Sequence, residues 1–259
     1  MKVLLRRLLQ SRVTHPLSLL AFLVLSGSLI YKIPTTVGRF LANVGDVQLT
    51  RVVLSAERCG EAPRQIAITG AVIRCTFAPE QVNAVVAWLG ASIGNGSDTW
   101  LAAYKMAIAY SLLGKWDNTE NLLDASIELA PTASLARMAR ANMRFVLGQT
   151  SDAIKDWESI GAWGTLNRFA LFYLTFPELR QRGLDYLGLV SKNGDTVAAG
   201  QAFYLLANDL RNRGDVVSAV PYFEHAVQHQ PGKTEYYFTL ASALIHKILE
   251  PFRRSPQNL

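Results

Sequence analysis

Between Asn212 and Gly232 the chain reads NRGDVVSAVPYFEHAVQHQPG, and Val216, Ala219, Val220, Phe223, Ala226 and Val227 recur in it at three- and four-residue steps. That spacing predicts one amphipathic helix, opened by Asp215 as N-cap and closed near Pro231 and Gly232. Small residues flank a single aromatic in the stripe, so a second helix can approach closely. Just upstream, AGQAFYLLANDLRNRGD places Phe203, Leu206, Ala207 and Leu210 on a second stripe that ends at Gly214. Helix, glycine turn, helix predicts an antiparallel hairpin. The same pattern precedes it in WLAAYKMAIAYSLLGKWDNTENLLDASIELAP, with Met106, Ala107, Tyr110, Gly114, Leu123 and the closing Pro131, and again in SLARMARANMRFVLGQTSDAIKDWESIG.

The register of these copies sets a period. Ala107, Ala141, Ala207 and Ala241 are separated by 34, 66 and 34 residues, and Gly114, Gly148 and Gly214 by 34 and 66. The pattern resembles the tetratricopeptide repeat: a large residue, then Leu, a small residue and a Tyr-like residue, and later Ala, an aromatic and Pro. The best copy matches as Phe203, Leu206, Ala207, Leu210, Ala219, Phe223, Ala226 and Pro231. The first copy has Thr119 in place of the Ala, and the second has Arg137, Arg140 and Arg144 where apolar residues belong, although Ala141, Gly148, Ala153 and Trp157 hold.

The resemblance implies an all-α fold, a solenoid of helical hairpins over residues 98–250. Its units run over 98–131, 132–165, 166–199 and 200–233, followed by a capping helix over 234–250 and a polar tail over 251–259. The third unit is degenerate: Pro177 interrupts its first helix and no glycine turn falls in register. The cap, KTEYYFTLASALIHKILEPF, carries Tyr237, Leu240, Ala241 and Leu244 and lacks a partner helix. Residues 34–97 carry helical periodicity in GRFLANVGDVQLTRVVLSAE and PEQVNAVVAWLGASIG, which predicts two or three further helices; QIAITGAVIR is the alternative site of a short strand hairpin.

Before this body lies MKVLLRRLLQSRVTHPLSLLAFLVLSGSLIYKIP, an uncharged, mostly apolar run from Leu17 to Tyr31 preceded by basic residues. It predicts a transmembrane helix over 16–33, with the basic segment 1–15 in the cytoplasm and the body across the membrane. A cleaved signal peptide with Ser26-Gly27-Ser28 as its processing site is the rival; both export the body. The formal charge of +6 is concentrated here: without Lys2, Arg6, Arg7, Arg12 and Lys32, 21 basic residues face 20 acidic ones. A nearly neutral body lacks the basic face that nucleic-acid binding needs. Cys59 and Cys75 are the only cysteines. Two ligands do not complete a zinc site, and outside the membrane the pair is expected to form a disulfide, worth about 3 kcal/mol in the chain-entropy picture.

Chemistry is sparse. His225 and His229 have the spacing of a shared metal site, but both fall off the apolar stripe and no glutamate completes the metalloprotease pattern. Gly90, Gly94 and Gly96 fit neither phosphate-binding loop, and Asn95-Gly96-Ser97 is formally a glycosylation acceptor. The carboxylate pairs Asp152 with Asp156 and Glu120 with Asp124 read as solvated, and no nucleophile setting is present. No catalytic residue, metal or cofactor is expected.

The repeat resemblance implies instead a concave face built from the first helix of each unit: Leu101, Tyr104 and Ile108, then Met138, Asn142 and Phe145, then Tyr204, Asn208 and Arg211, and finally Phe238. Apolar contact from Tyr, Met and Phe beside the amides of Asn142 and Asn208 suits a peptide segment of another protein. Of the basic cluster that similar repeats use to hold a peptide carboxyl terminus, only Arg211 is present. The alternative is that these residues pack against the next hairpin. The expected task is that of a membrane-anchored docking scaffold, or else of a fixed structural subunit of a membrane complex.

Overall fold

The computed structural model describes residues 39, 41–45, 49, 64–65, 72–73, 79–95 and 99–253. The apolar run 16–33, Cys59, Cys75 and the Gly96-Ser97 half of the acceptor motif lie outside them. Ten α-helices and one 3-10 turn follow one another from Pro79 onward. They are α1 (Pro79–Gly94), α2 (Thr99–Leu112), α3 (Trp116–Leu129), α4 (Ser134–Val146), α5 (Thr150–Ser159), α6 (Trp163–Leu174), the 3-10 turn Pro177–Leu179, α7 (Arg180–Asn193), α8 (Thr196–Asn212), α9 (Val216–His229) and α10 (Thr234–Arg253). The fold is all-α, with one small ladder inside the segment 64–73: β1 (Arg64–Gln65) runs antiparallel to β2 (Val72–Ile73), with Arg64 opposite Ile73 and Gln65 opposite Val72. Among the described residues no helix is long and apolar enough to cross a membrane.

The chain divides into two compact units, Met1–Cys59 with Thr76–Ala136, and Gly60–Cys75 with Arg137–Leu259. In the first, α1 packs on α2 and α2 on α3. Val82, Val85 and Leu89 are buried on one face of α1 against Ala109 of α2 and Leu49. Thr119 of α3 is fully buried where the repeat pattern calls for Ala. Its hydroxyl donates to the Lys115 carbonyl at 2.9 Å, which offsets the cost of burying the oxygen.

In the second unit, Trp157, Leu166, Tyr173, Tyr186, Leu187 and Val190 form a core that also takes in Ala198 and Ala202 of α8. Ala207, Ala219, Val220, Phe223 and Ala243 form another around α8, α9 and α10. The degenerate pair α6 and α7 is joined by a 3-10 turn that begins at Pro177, so the proline sits between the helices rather than inside one. Close crossing there needs glycine: a Cβ on Gly183 would stand 2.9 Å from the Ala170 carbonyl oxygen.

One turn recurs within the hairpins. Gly114, Gly148 and Gly214 have φ of 67°, 84° and 85°, a region that favours glycine. In each, the glycine N–H donates to the carbonyl three residues back (Ser111, Phe145, Arg211) and the following N–H to the carbonyl five back from itself (Tyr110, Arg144, Leu210). Ala107, Ala141 and Ala207 are each fully buried on the helix before that turn. Ala241 is not: on α10, Tyr236 and Ala243 are buried while Tyr237, Ala241 and Leu244 are exposed. Of the stripe that the repeat register assigns to the cap, Leu240 packs on the α8–α9 core while Tyr237, Ala241 and Leu244 stay open, because α10 packs on α9 through its other face and no second helix follows among the described residues.

Candidate functional site

The face of α8 is the best-formed part of the expected groove. Tyr204, Asn208 and Arg211 follow one another at four- and three-residue steps and are all half-buried. Tyr204 stacks on Tyr236 with ring centroids 4.4 Å apart and donates its hydroxyl to Glu235 Oε1 at 2.5 Å. Burial, and then the Glu235 hydrogen bond, raise its pKa above the usual tyrosine range. Burial likewise raises Tyr236, with the charge of Glu235 as the second cause. The Arg211 guanidinium lies 5.9 Å from the centroid of Phe223, held by a cation–π contact. Asn208 completes the strip, its Oδ1 buried and without a hydrogen-bond partner.

The corresponding residues of α4 lie in packed surroundings. Asn142 is fully buried and accepts a hydrogen bond from Trp157 Nε1 at 3.3 Å. Phe145 meets Trp157 edge-on at 5.5 Å and Tyr186 at 4.7 Å, and the Arg182 guanidinium lies 5.5 Å over its ring. Met138 packs against the same core. In the first unit, Ile108 packs on the α1 core, and Tyr104 is half-buried with its pKa raised by burial. Leu101 is also half-buried, whereas Phe238 stands 73% exposed on α10.

One expectation about charge needs correction. Asp156 is not solvated: it is 6% exposed, and Arg140 donates to both of its oxygens, at 2.9 Å and 2.6 Å. Arg144 adds a third contact at 3.1 Å. Arg140 and Arg144, two of the three arginines that break the apolar pattern of α4, are thus matched by a carboxylate on the facing helix. Repeat positions show why: where α4 and α5 carry Arg140, Arg144 and Asp156, the corresponding residues are Met106, Tyr110 and Leu122 one period earlier and Leu206, Leu210 and Tyr222 later. Each set is consistent within itself, uncharged with uncharged or charge with charge. A paired exception of this kind was available in the sequence but needed the facing position to be known. Arg180 of α7 makes a similar two-pronged contact with Asp209 of α8, 3.1 Å from Nε to Oδ1. Asp152, by contrast, is exposed and pairs with Lys155 at 2.9 Å, which lowers its pKa first through the hydrogen bond.

His225 and His229 flank the Phe203 ring, with centroids at 4.9 Å and 5.1 Å. His225 Nδ1 is 3.2 Å from Gln228 Oε1, and His229 Nδ1 donates to the His225 carbonyl at 2.9 Å. Among the described residues no group of three or more His, Cys, Asp or Glu side chains gathers at metal-binding distance. Sequence reasoning had not singled out the cavity of about 540 Å³ at the α8–α9 turn, lined by Arg213, Asp215, Ser218 and His246 among others. Its carboxylate is already engaged, since Asp215 caps α9 through the Ser218 N–H. No protein-family model matches the chain, and no curated protein matches it.

Proposed function

We propose that this chain is a membrane-anchored protein of tetratricopeptide type whose body lies outside the cytoplasm and docks another protein. What carries the proposal is that three of the four glycine turns sharing this set of hydrogen bonds, those at Gly114, Gly148 and Gly214, stand inside hairpins at spacings of 34 and 66 residues, the fourth closing α5 at Gly161. Repeats of this kind bury their stripes against neighbouring hairpins and leave the first-helix faces for partners. On α8 that face offers Asn208 and Arg211, half-buried and polar, beside Tyr204. An extended peptide would meet a guanidinium suited to a carboxylate or carbonyl. The face of α4, occupied by its own core, contributes less. Binding rather than catalysis fits a molecule whose charged clusters, Asp156 and Asp209, are consumed by arginine pairs.

The anchor over 16–33, a cytoplasmic amino terminus and a Cys59–Cys75 disulfide belong to the same proposal. Thiol labelling of intact cells, with and without reductant, tests them together: oxidised cysteines and a full-length mass are expected. Free thiols that react only after lysis would place the body in the cytoplasm and end that part of the proposal. The docking face is tested by a photo-crosslinking amino acid placed at position 208, with position 228 on the exposed side of α9 as control. One discrete protein adduct from 208 alone is the expected result. Equal adducts from both positions, or none from 208, would sink it.

A further inference from the structure

From the open stripe of α10 we infer that this chain self-associates through that helix, as an antiparallel pair about a twofold axis at Ala241. Tyr237, Phe238, Leu244, Ile245, Ile248 and Leu249 are between 36% and 73% exposed. At one residue per 100°, Tyr237, Leu244, Ile245 and Ile248 share one face with Ala241 at its centre, and Phe238 and Leu249 edge it. A fully exposed large side chain presents roughly 200 Å², so these six leave about 600 Å² uncovered per copy, at or above the largest apolar patch of an ordinary monomer. Two copies would bury about 1,200 Å², the lower bound for a specific, stable interface.

The face is also complementary to itself. Reversed about Ala241, Phe238 comes level with Leu244 of the second copy and Tyr237 with Ile245 of the second copy. Tyr237, Phe238, Leu244 and Ile245 thus gather around the axis against their equivalents in the second copy, while Ile248 and Leu249 come level with its Thr234 and Lys233. Ala241 meets its own counterpart, and a small residue at the crossing lets the helix axes close to van der Waals contact. From Tyr236 to Ile245 there is no charged residue, so no like charges are buried along the seam.

Sedimentation of the full chain in detergent, over a range of concentrations, is the test. A reversible monomer–dimer equilibrium is expected. Ile245→Asp should raise the dimer dissociation constant by at least about tenfold with helix content unchanged, because a carboxylate would be buried unpaired in the seam. Ala241→Cys should give a disulfide-linked dimer on mild oxidation, since its Cβ faces its own counterpart across the axis. Lys247→Cys, off the axis, should not, with the unsubstituted chain as the background for Cys59 and Cys75. A chain that stays monomeric, a dimer indifferent to Ile245→Asp, or an Ala241→Cys variant that does not cross-link would overturn the inference. So would a monomer that takes up a peptide of residues 216–229, because the stripe would then belong to the helix of another protein.

Discussion

Replacing Asp156 with Asn keeps the shape of the side chain and removes its charge, leaving Arg140 and Arg144 to face each other across an amide. Removing one partner of a buried ion pair costs about 3–5 kcal/mol. Here the two arginines retain 17% and 19% of their side-chain exposure, against 8% for Asp156, so water can reach part of each guanidinium. The expected cost is therefore at the low end, about 3 kcal/mol. With a urea dependence of roughly 1–3 kcal/mol per molar, the midpoint of unfolding should fall by about 1 M or more. The control comes from the uncharged residues 34 positions earlier and 66 later: Arg140→Leu, Arg144→Leu and Asp156→Leu together install an uncharged set of the kind found there. That triple variant should be at least as stable as the unsubstituted chain, since a buried ion cluster replaced by packed apolar groups is often neutral or better. Tryptophan fluorescence reads the transition, with Trp157 fully buried beside the cluster. An Asp156→Asn midpoint within about 0.2 M of the parent, or a triple variant as unstable as the single one, would refute a buried and compensated cluster.

Two further predictions follow from burial. Ala207→Leu, placed between α8 and α9, should cost about 1–3 kcal/mol through overpacking, whereas Ala241→Leu, measured where the chain is monomeric, should change stability by no more than about 0.5 kcal/mol; equal costs would mean that α10 is covered after all. Tyr104, Tyr173, Tyr204 and Tyr236 all have pKa values raised above 10.0, chiefly by burial. The unfolded chain ionises them near the ordinary value while the folded chain holds them neutral, so stability is intact below about pH 10 and falls as pH rises above it. Absorbance at 295 nm should show these tyrosines ionising only together with loss of helix content; a single step near pH 10 with the helices intact would contradict that.

Periodicity and punctuation made the hairpins legible. The stripe of α9, its Asp215 cap and Gly214 each act within a few residues of chain, and local rules read them directly. Gly114 and Gly148 followed by register. What escaped were properties settled across helices. Whether Asn142 lines a groove or enters a core depends on Trp157, a residue brought beside it by the facing helix. Arg140 and Arg144 looked like errors in a pattern because their compensation sits at Asp156, on the facing helix. On α10 the heptad-like spacing marks an apolar stripe but not which stripe is covered, since that depends on a helix that would have to follow. The short ladder at 64–73 was the weaker of two alternatives, two-residue strands being too brief for alternation to declare them.

The charged exception in α4 and α5 also bears on how the chain finds its pairings. Hairpins built on one template offer one another interchangeable surfaces, and a first helix that docked on the wrong second helix would still match small residues to small residues. For α4 the substitution is not free. Against α9 its two guanidiniums would meet Tyr222 in place of Asp156, and against α3 they would meet Leu122. Either mistake takes from both cations the anion at the facing position. The ion cluster thus works as an address written into the middle of a repetitive chain: it adds little to the depth of the native state and makes the misregistered assemblies next to it costly to occupy.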